Sequence, residues 1–410
     1  MGRVTEHLPW DERARDEPGA PPDPRGAGAF VADWNPRGPR VSRDARAAYD
    51  ELRERCPVAR GADGAWTLFT HADVVRAARD HDTFSNAVSR HLQVPNGLDG
   101  ATHTTFRAVV DRYFTPDRIR ALAPEVTRVA VDLVSQTPVP GAVDAVALGA
   151  RFAVRAQSAW LGWPAELEDD LLRWVADNRA AARSRDRART AEVARRFDAI
   201  IRGLTDARRL AGAAAPADVT TELVRETVDG RPLTDAEIVS ILRNWTGGDL
   251  GSMALCAGVV LTYLADHPDL QARVRAGVPD GDLDAVLDEV LRLDDPFVSN
   301  RRVALEPVTV RDRRIAPGDT VVLSWTAANR DPAVFGDPDE LDPLGHAADN
   351  LVWGTGKHVC PGRPLATLEL RALVRAVLGA TTAVEPDPQR PCVRSLAPFG
   401  GYRVAPLLLR

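Results

Sequence analysis

Cysteine, lysine and methionine are all scarce in this chain. Its 410 residues hold four cysteines and two methionines, and Lys357 is the only lysine among 52 basic residues. Cys56, Cys256, Cys360 and Cys392 lie far apart with no CxxC pair, which argues against a zinc site or a disulfide framework and fits a reducing cytoplasm. No basic run of the kind that binds nucleic acid occurs, and the net charge is -6, so no nucleic-acid partner is expected. The first thirty residues, polar and rich in proline and glycine, have neither a signal-peptide core nor an apolar run long enough to span a bilayer, so a soluble protein without a membrane anchor is expected.

After these exclusions, what is there is mostly helical periodicity. Residues 1–40 contain PGAPPDPRG and predict an extended or disordered segment, with folding starting near Asp44. Residues 65–69 have the aromatic and β-branched mix of a short strand, and 71–80 alternate at helical period. The irregular stretch 85–100 has the character of a binding loop. Residues 103–114 read as a helix with His103 and Arg107 on one face. From 119 to about 210 the period stays helical, broken at Pro138, Pro140 and Pro164, and the arginine-rich span 177–196 reads as a solvated face.

The longest helical pattern covers 234–267. Thr234 and Glu237 give it a capping-box start, and Pro268 ends it. Inside lie Gly247, Gly248 and Gly251, each costing about 1 kcal/mol relative to alanine in a helix interior. Close approach of a ligand would offset that cost. On the next helical pattern Glu289 and Arg292 are three apart and can pair.

Residues 351–370, LVWGTGKHVCPGRPLATLEL, set Cys360 between Gly356 and Gly362, just before an apolar stripe of Leu365, Leu368, Leu370, Leu373, Val374, Val377 and Leu378. A helix N-terminus supplies N–H groups and the positive end of a dipole, which favour thiolate over thiol and make a metal ligand. A buried structural cysteine in a tight turn is the other reading of these residues alone.

Trp353, Gly356, His358, Cys360 and Gly362 together resemble the haem-binding loop of the cytochrome P450 family, usually Phe-x-x-Gly-x-His/Arg-x-Cys-x-Gly, with tryptophan here in place of phenylalanine. The family's cysteine-thiolate ligation of haem then falls to Cys360. The resemblance covers residues 41–410 and implies a single large domain, mainly α with a minor β portion, enclosing haem b (iron protoporphyrin IX). It implies a cytoplasmic bacterial monooxygenase, expected to be a monomer. Such an enzyme draws electrons from a ferredoxin and its reductase and oxidises a small organic or natural-product substrate of secondary metabolism.

The same resemblance assigns roles along the chain. His103, Arg107, Arg301 and His358 would reach the haem propionates, with Arg302 as the alternative to Arg301, and Gly248 and Gly354 would border the cofactor. Ser252 is the alcohol expected to assist proton delivery. Gly251 stands where an acid is usual, and Asp249, three residues before Ser252, is the candidate to replace it. Glu289 and Arg292 form the structural Glu-x-x-Arg pair, with Arg330 expected to pin Glu289. Asn244, Trp245, Phe297, Val298 and Phe399 are the expected pocket residues. The Trp353 N–H is expected to weaken electron donation by the thiolate, and Lys357 with Arg363 to dock an acidic ferredoxin. The missing acid leaves phenol or aryl coupling, nitration and peroxide-driven oxidation open as alternatives, and a non-catalytic haem-binding helper is the reading from another class.

Overall fold

The computed structural model describes residues 31–89, 91–184 and 186–410. Residues 1–30 of the expected lead-in lie outside that description, while 31–40, though largely exposed, are tied to the domain through Asp33 and Trp34. Trp34 sets its ring edge-on to Phe69 at 5.2 Å and to Tyr49 at 6.2 Å. Asp33 accepts from the Arg60 N–H at 2.7 Å and pairs with Arg313 at 3.0 Å. Folding therefore begins about ten residues before Asp44, because an indole with a pocket to fill outweighs the local proline and glycine.

The core is organised around the helix Asp235–Asp266, capped as its sequence predicts: Thr234 Oγ1 accepts from the Glu237 N–H and Glu237 Oε2 from the Thr234 N–H. Among the described residues this is the one helix long and apolar enough to cross a membrane, and most of it is buried inside the fold, as an all-round apolar helix in a core should be. It packs against the helix Ala145–Leu161 at close range. A Cβ on Gly149 would overlap Ala257, and one on Gly258 would come within 2.7 Å of Val146, so these two glycines set the spacing. The helix Arg363–Ala380 buries the whole predicted leucine and valine stripe, chiefly against the helix Pro116–Ser135. Burial of that kind is worth about 1.5–3 kcal/mol for each large apolar side chain.

The β portion is small. Its five-stranded sheet runs Val58–Arg60, Trp66–Leu68, Thr320–Ser324, Ser299–Ala304, Phe84–Ser85, with one parallel pair, Trp66–Leu68 beside Thr320–Ser324. The irregular stretch 85–100 is pinned onto the central helix: Ser240 Oγ accepts from the Val94 N–H at 2.8 Å, Asn244 donates to the Val94 carbonyl at 2.9 Å, and Arg243 donates to the Leu92 carbonyl at 2.7 Å. Span 177–196 is two helices, Glu168–Ser184 and Arg187–Ala211.

The Glu289–Arg292 pair forms as expected, but its surroundings differ. Arg292 is fully buried, forks onto both Glu289 oxygens at 2.8 and 2.9 Å, and donates to the carbonyls of Asn329, Pro338 and Glu340. Glu289 is pinned by His346 Nδ1 at 2.6 Å, not by Arg330. Arg330 instead pairs with Asp339 and Asp50, tying the irregular segment after residue 328 to the first long helix, Ala45–Arg55.

Candidate functional site

The cysteine loop is shaped by two positive-φ glycines and clamped from two sides. Gly354 and Gly356 adopt φ of 72° and 75°, and a Cβ on Gly356 would press on the Ala78 carbonyl at 3.2 Å. Arg107 Nη1 donates to the carbonyls of Lys357 and Val359 at 3.0 and 2.8 Å, and its Nε pairs with Asp111. Arg107 thus holds the loop and keeps only Nη2 for an anionic ligand. On the other side Asp288 accepts from Trp353 Nε1 at 2.8 Å and from Arg363 at 2.7 Å, while its carbonyl accepts from Asn350 at 3.0 Å.

Two expectations change here. The Trp353 N–H is committed to Asp288 and does not reach the sulfur, and Arg363 is ion-paired rather than free for a partner. Trp353→Phe is therefore expected to lower stability by about 1 kcal/mol, the worth of one hydrogen bond, and to leave the redox potential unchanged. Thermal unfolding and a potentiometric titration read the two effects separately. A third change concerns the thiol itself. Burial pushes the Cys360 thiol up, outweighing the Gly362 and Arg363 N–H groups and Arg107, which pull it down. Helix-terminus donors alone do not make this thiolate; a coordinated metal would.

A polar cluster lies next to the loop. The His103 and His358 rings meet at 4.1 Å, tilted by 47°, and His358 Nε2 stands 3.6 Å from Asp99, an ion-pair distance just beyond hydrogen-bond reach. Burial, with His358, Arg107 and Lys357 adding to it, lowers the His103 pKa to about 4, so its imidazole is neutral at pH 7. Asp99, which burial alone would raise, is held well below the usual carboxylate range by His358, Ser85 and Asn86. Arg302, not Arg301, joins this cluster. Arg301 is exposed, whereas Arg302 is buried, its Nε has no partner, and burial lowers its pKa to about 10 against the pull of Asp99. Strand pairing explains the choice: Arg302 sits opposite buried Val321 and so shares its face, while Arg301 sits opposite half-buried Val322.

On the central helix, a Cβ on Gly248 or Gly251 would meet nothing within 4 Å. In a helix otherwise buried among apolar side chains, that is an open face. Ser252 is half-buried beside it. Asp249 points elsewhere, toward Gln157 and Glu369, and no hydrogen bond joins it to Ser252. Asp249 Oδ2, both Glu369 oxygens and Gln157 Oε1 are buried and find no donor while both acids are ionised. A proton held between the two carboxyls supplies one. Burial raises both acids; Asp249 raises Glu369 further, while hydrogen bonds with Gln157 and Glu369 pull Asp249 part of the way back down.

A carboxyl raised in the folded state stabilises the fold fully at low pH and loses that contribution as pH rises through its folded pKa. The fold should therefore weaken as pH climbs above the ordinary value of 4.5 for Glu369. Glu369→Gln should remove much of that decline, gaining about 1–3 kcal/mol over the native protein at neutral pH. Melting curves from acid to alkaline pH that run parallel for the two proteins would refute it.

Of the expected pocket residues, Val298 and Phe399 line a cavity of about 390 Å³ between the turn at 395–401, the end of the helix Glu168–Ser184 and residues 36–49. Asn244 is spent on the Val94 carbonyl, and Trp245 lies in an aromatic cluster with Tyr113, Phe114 and Trp160, so both are structural; Phe297 packs on the main core. Sequence reasoning missed Asp288, Glu369 and Arg179. Arg179 follows buried Val175 by four residues on one helix face, a spacing lost among the arginines around it.

The residues present fit a haem. Unpartnered buried nitrogens on His103, His358 and Arg302 suit its propionates, the Cys360 sulfur suits its iron, and the open face at Gly248 and Gly251 allows a flat group to approach. A Cβ on Gly362 would meet both Cys360 Sγ and Phe114 at 3.8 Å, an ordinary contact distance.

Known proteins agree. The family model described as cytochrome P450 matches residues 184–392. A cyclomarin C epoxidase from Salinispora arenicola is 30% identical over 82% of this chain and 88% of its own length. An erythromycin C-12 hydroxylase from Saccharopolyspora erythraea is 30% identical over 80% and 84%. The solved structure of a mutant of P450 EryK in complex with erythromycin B superposes with a TM-score of 0.80 at 27% identity, covering 89% of this chain and 96% of that one.

Proposed function

Because the chain belongs to the cytochrome P450 family of haem b-dependent monooxygenases, we propose that it hydroxylates or epoxidises a natural product, as a cytoplasmic monomer served by a ferredoxin and its reductase. The observation that carries this reading is the Cys360 thiol in its clamped loop, beside the open face of the central helix. The epoxidase and hydroxylase among the relatives support the substrate class.

When bound, the haem supplies reductive activation of dioxygen, in which one oxygen atom enters the substrate and the other leaves as water at the expense of two electrons and two protons. Cys360 gives the iron its thiolate ligand. Neutral His103, His358, Arg302 and the remaining Nη2 of Arg107 bind the propionates, the cations through charge-assisted hydrogen bonds. Gly248 and Gly354 leave room beside the cofactor. Ser252 holds the proton next to the reacting centre, and the Asp249–Glu369 pair stores another; rotation of the Asp249 side chain carries it toward Ser252. Val298 and Phe399 wall the cavity and orient the substrate. Exposed Lys357, which contacts His81 at 2.9 Å, is the basic feature offered to an acidic electron donor.

The test is the absorption of the reduced, carbon monoxide-bound protein, followed by turnover of a natural-product panel with a ferredoxin system at low and high salt. A band without thiolate character overturns the reading. The lack of a hydrogen bond between Asp249 and Ser252 favours one second reading, peroxide-driven oxidation or aryl coupling with a different proton supply. Product formed with peroxide alone, and none with the ferredoxin system, selects it.

A further inference from the structure

The helix Glu168–Ser184 turns a guanidinium into the site. Arg179 Nη2 donates to the Gly251 carbonyl at 2.9 Å, beside the open face of the central helix, and its Nε is buried with no partner. No carboxylate pairs with it among the described residues. Burial lowers its pKa and Arg183 adds to that, with only Asp144 opposing. The Asp144 carboxylate already accepts from the Val146 and Ala405 N–H groups. A buried cation without an anion is costly, so this position is built for a negative charge that arrives with something else.

A cavity one helical turn away is basic as well. Arg183, one turn further along the same helix, lines the 390 Å³ cavity together with Arg43 and Arg46. Arg43 and Arg183 have no counter-ion among the described residues, and Arg46 donates only to the Leu293 carbonyl at 3.4 Å, with Asp339 in its electrostatic reach. The acids on the cavity wall are already engaged. Asp294 is paired with Arg394, Asp44 caps the Ala47 N–H, and Asp295 accepts from Phe297 and Asn329.

We propose that Arg179 recognises an anionic substituent, a carboxylate or a phosphate, on the substrate, and that Arg183 and Arg43 guide that substituent through the cavity to it. This rests on the monooxygenase reading for what happens next, but not for the binding itself. The test uses the haem-loaded enzyme and three probes of one chain length: dodecanoate, dodecyl phosphate and dodecanol. Binding is followed by equilibrium dialysis and by the shift in haem absorption. At least one anion should bind about tenfold or more tighter than the alcohol, as a charged hydrogen bond implies, and the two anions distinguish carboxylate from phosphate.

Arg179→Gln should abolish the preference and leave dodecanol binding and the melting temperature unchanged or raised, since it removes an uncompensated charge. Arg183→Gln, at the exposed end of the route, should narrow the preference while leaving the fold intact. Equal affinity for the three probes, binding of none of them, or a preference that survives Arg179→Gln overturns the proposal. A lowered melting temperature with the preference intact would mark Arg179 as structural. Absence of turnover with anion preference retained would count against the monooxygenase reading alone.

Discussion

Arg292→Ala should leave little folded protein. Arg292 is fully buried, and its five donors meet two carboxylate oxygens and three carbonyls, with Phe335 beneath the guanidinium at 4.7 Å. Truncation leaves Glu289 with only His346 and the Asp342 N–H, and frees three carbonyls in the interior. Breaking a buried pair from one side costs about 3–5 kcal/mol, against a total stability of about 5–15 kcal/mol for a typical domain. The consequence should reach the site, because Asp288, next to Glu289, holds both Trp353 and Arg363. Arg292→Lys cannot restore the fork, having one point charge in place of a planar one. Glu289→Gln should be milder, keeping an acceptor for Arg292 while losing the charge. Urea unfolding followed by far-ultraviolet dichroism ranks the three; an alanine variant as stable as the native protein would show that the network contributes no net stability.

What the sequence makes legible is what lies within one element. The capping box at Thr234 and Glu237, the apolar stripe from Leu365 to Leu378 and the loop around Cys360 each depend on residues a few positions apart, whose geometry the local backbone fixes. What it hides depends on pairing across long separations. Arg301 and Arg302 are adjacent, and only the register with Val321 and Val322 decides which one faces inward. Glu289 finds His346 rather than Arg330 because the irregular segment folds back over it, and no local pattern encodes that path. The inward turn of Arg179 was hidden for a related reason: its span is dense with arginines that do face water, and composition cannot separate the one that does not.

Cys360→Ser should separate ligation from folding. The replacement is nearly isosteric, and the contacts that shape the loop do not use the sulfur. The Cys360 N–H donates to the Trp353 carbonyl at 2.9 Å, Arg107 holds the Lys357 and Val359 carbonyls just before it, and Asp288 holds Trp353. The apoprotein should therefore melt within about 1 kcal/mol of the native chain, as volume-conserving changes commonly do. Haem affinity and turnover should fall far more. Loss of a supporting hydrogen bond around a metal site costs about 10–100-fold, and loss of the ligand itself should exceed that. A serine hydroxyl is a harder and less readily ionised donor than a thiol, so the reduced, carbon monoxide-bound protein should lose its thiolate band even where some haem remains. Because His103, His358 and Arg302 stay in place, residual haem binding through the propionates is expected. Retention of the thiolate band would mean that Cys360 is not the ligand, and among the described cysteines Cys256 is buried within the central helix while Cys56 and Cys392 lie in other loops, away from the Arg107 clamp.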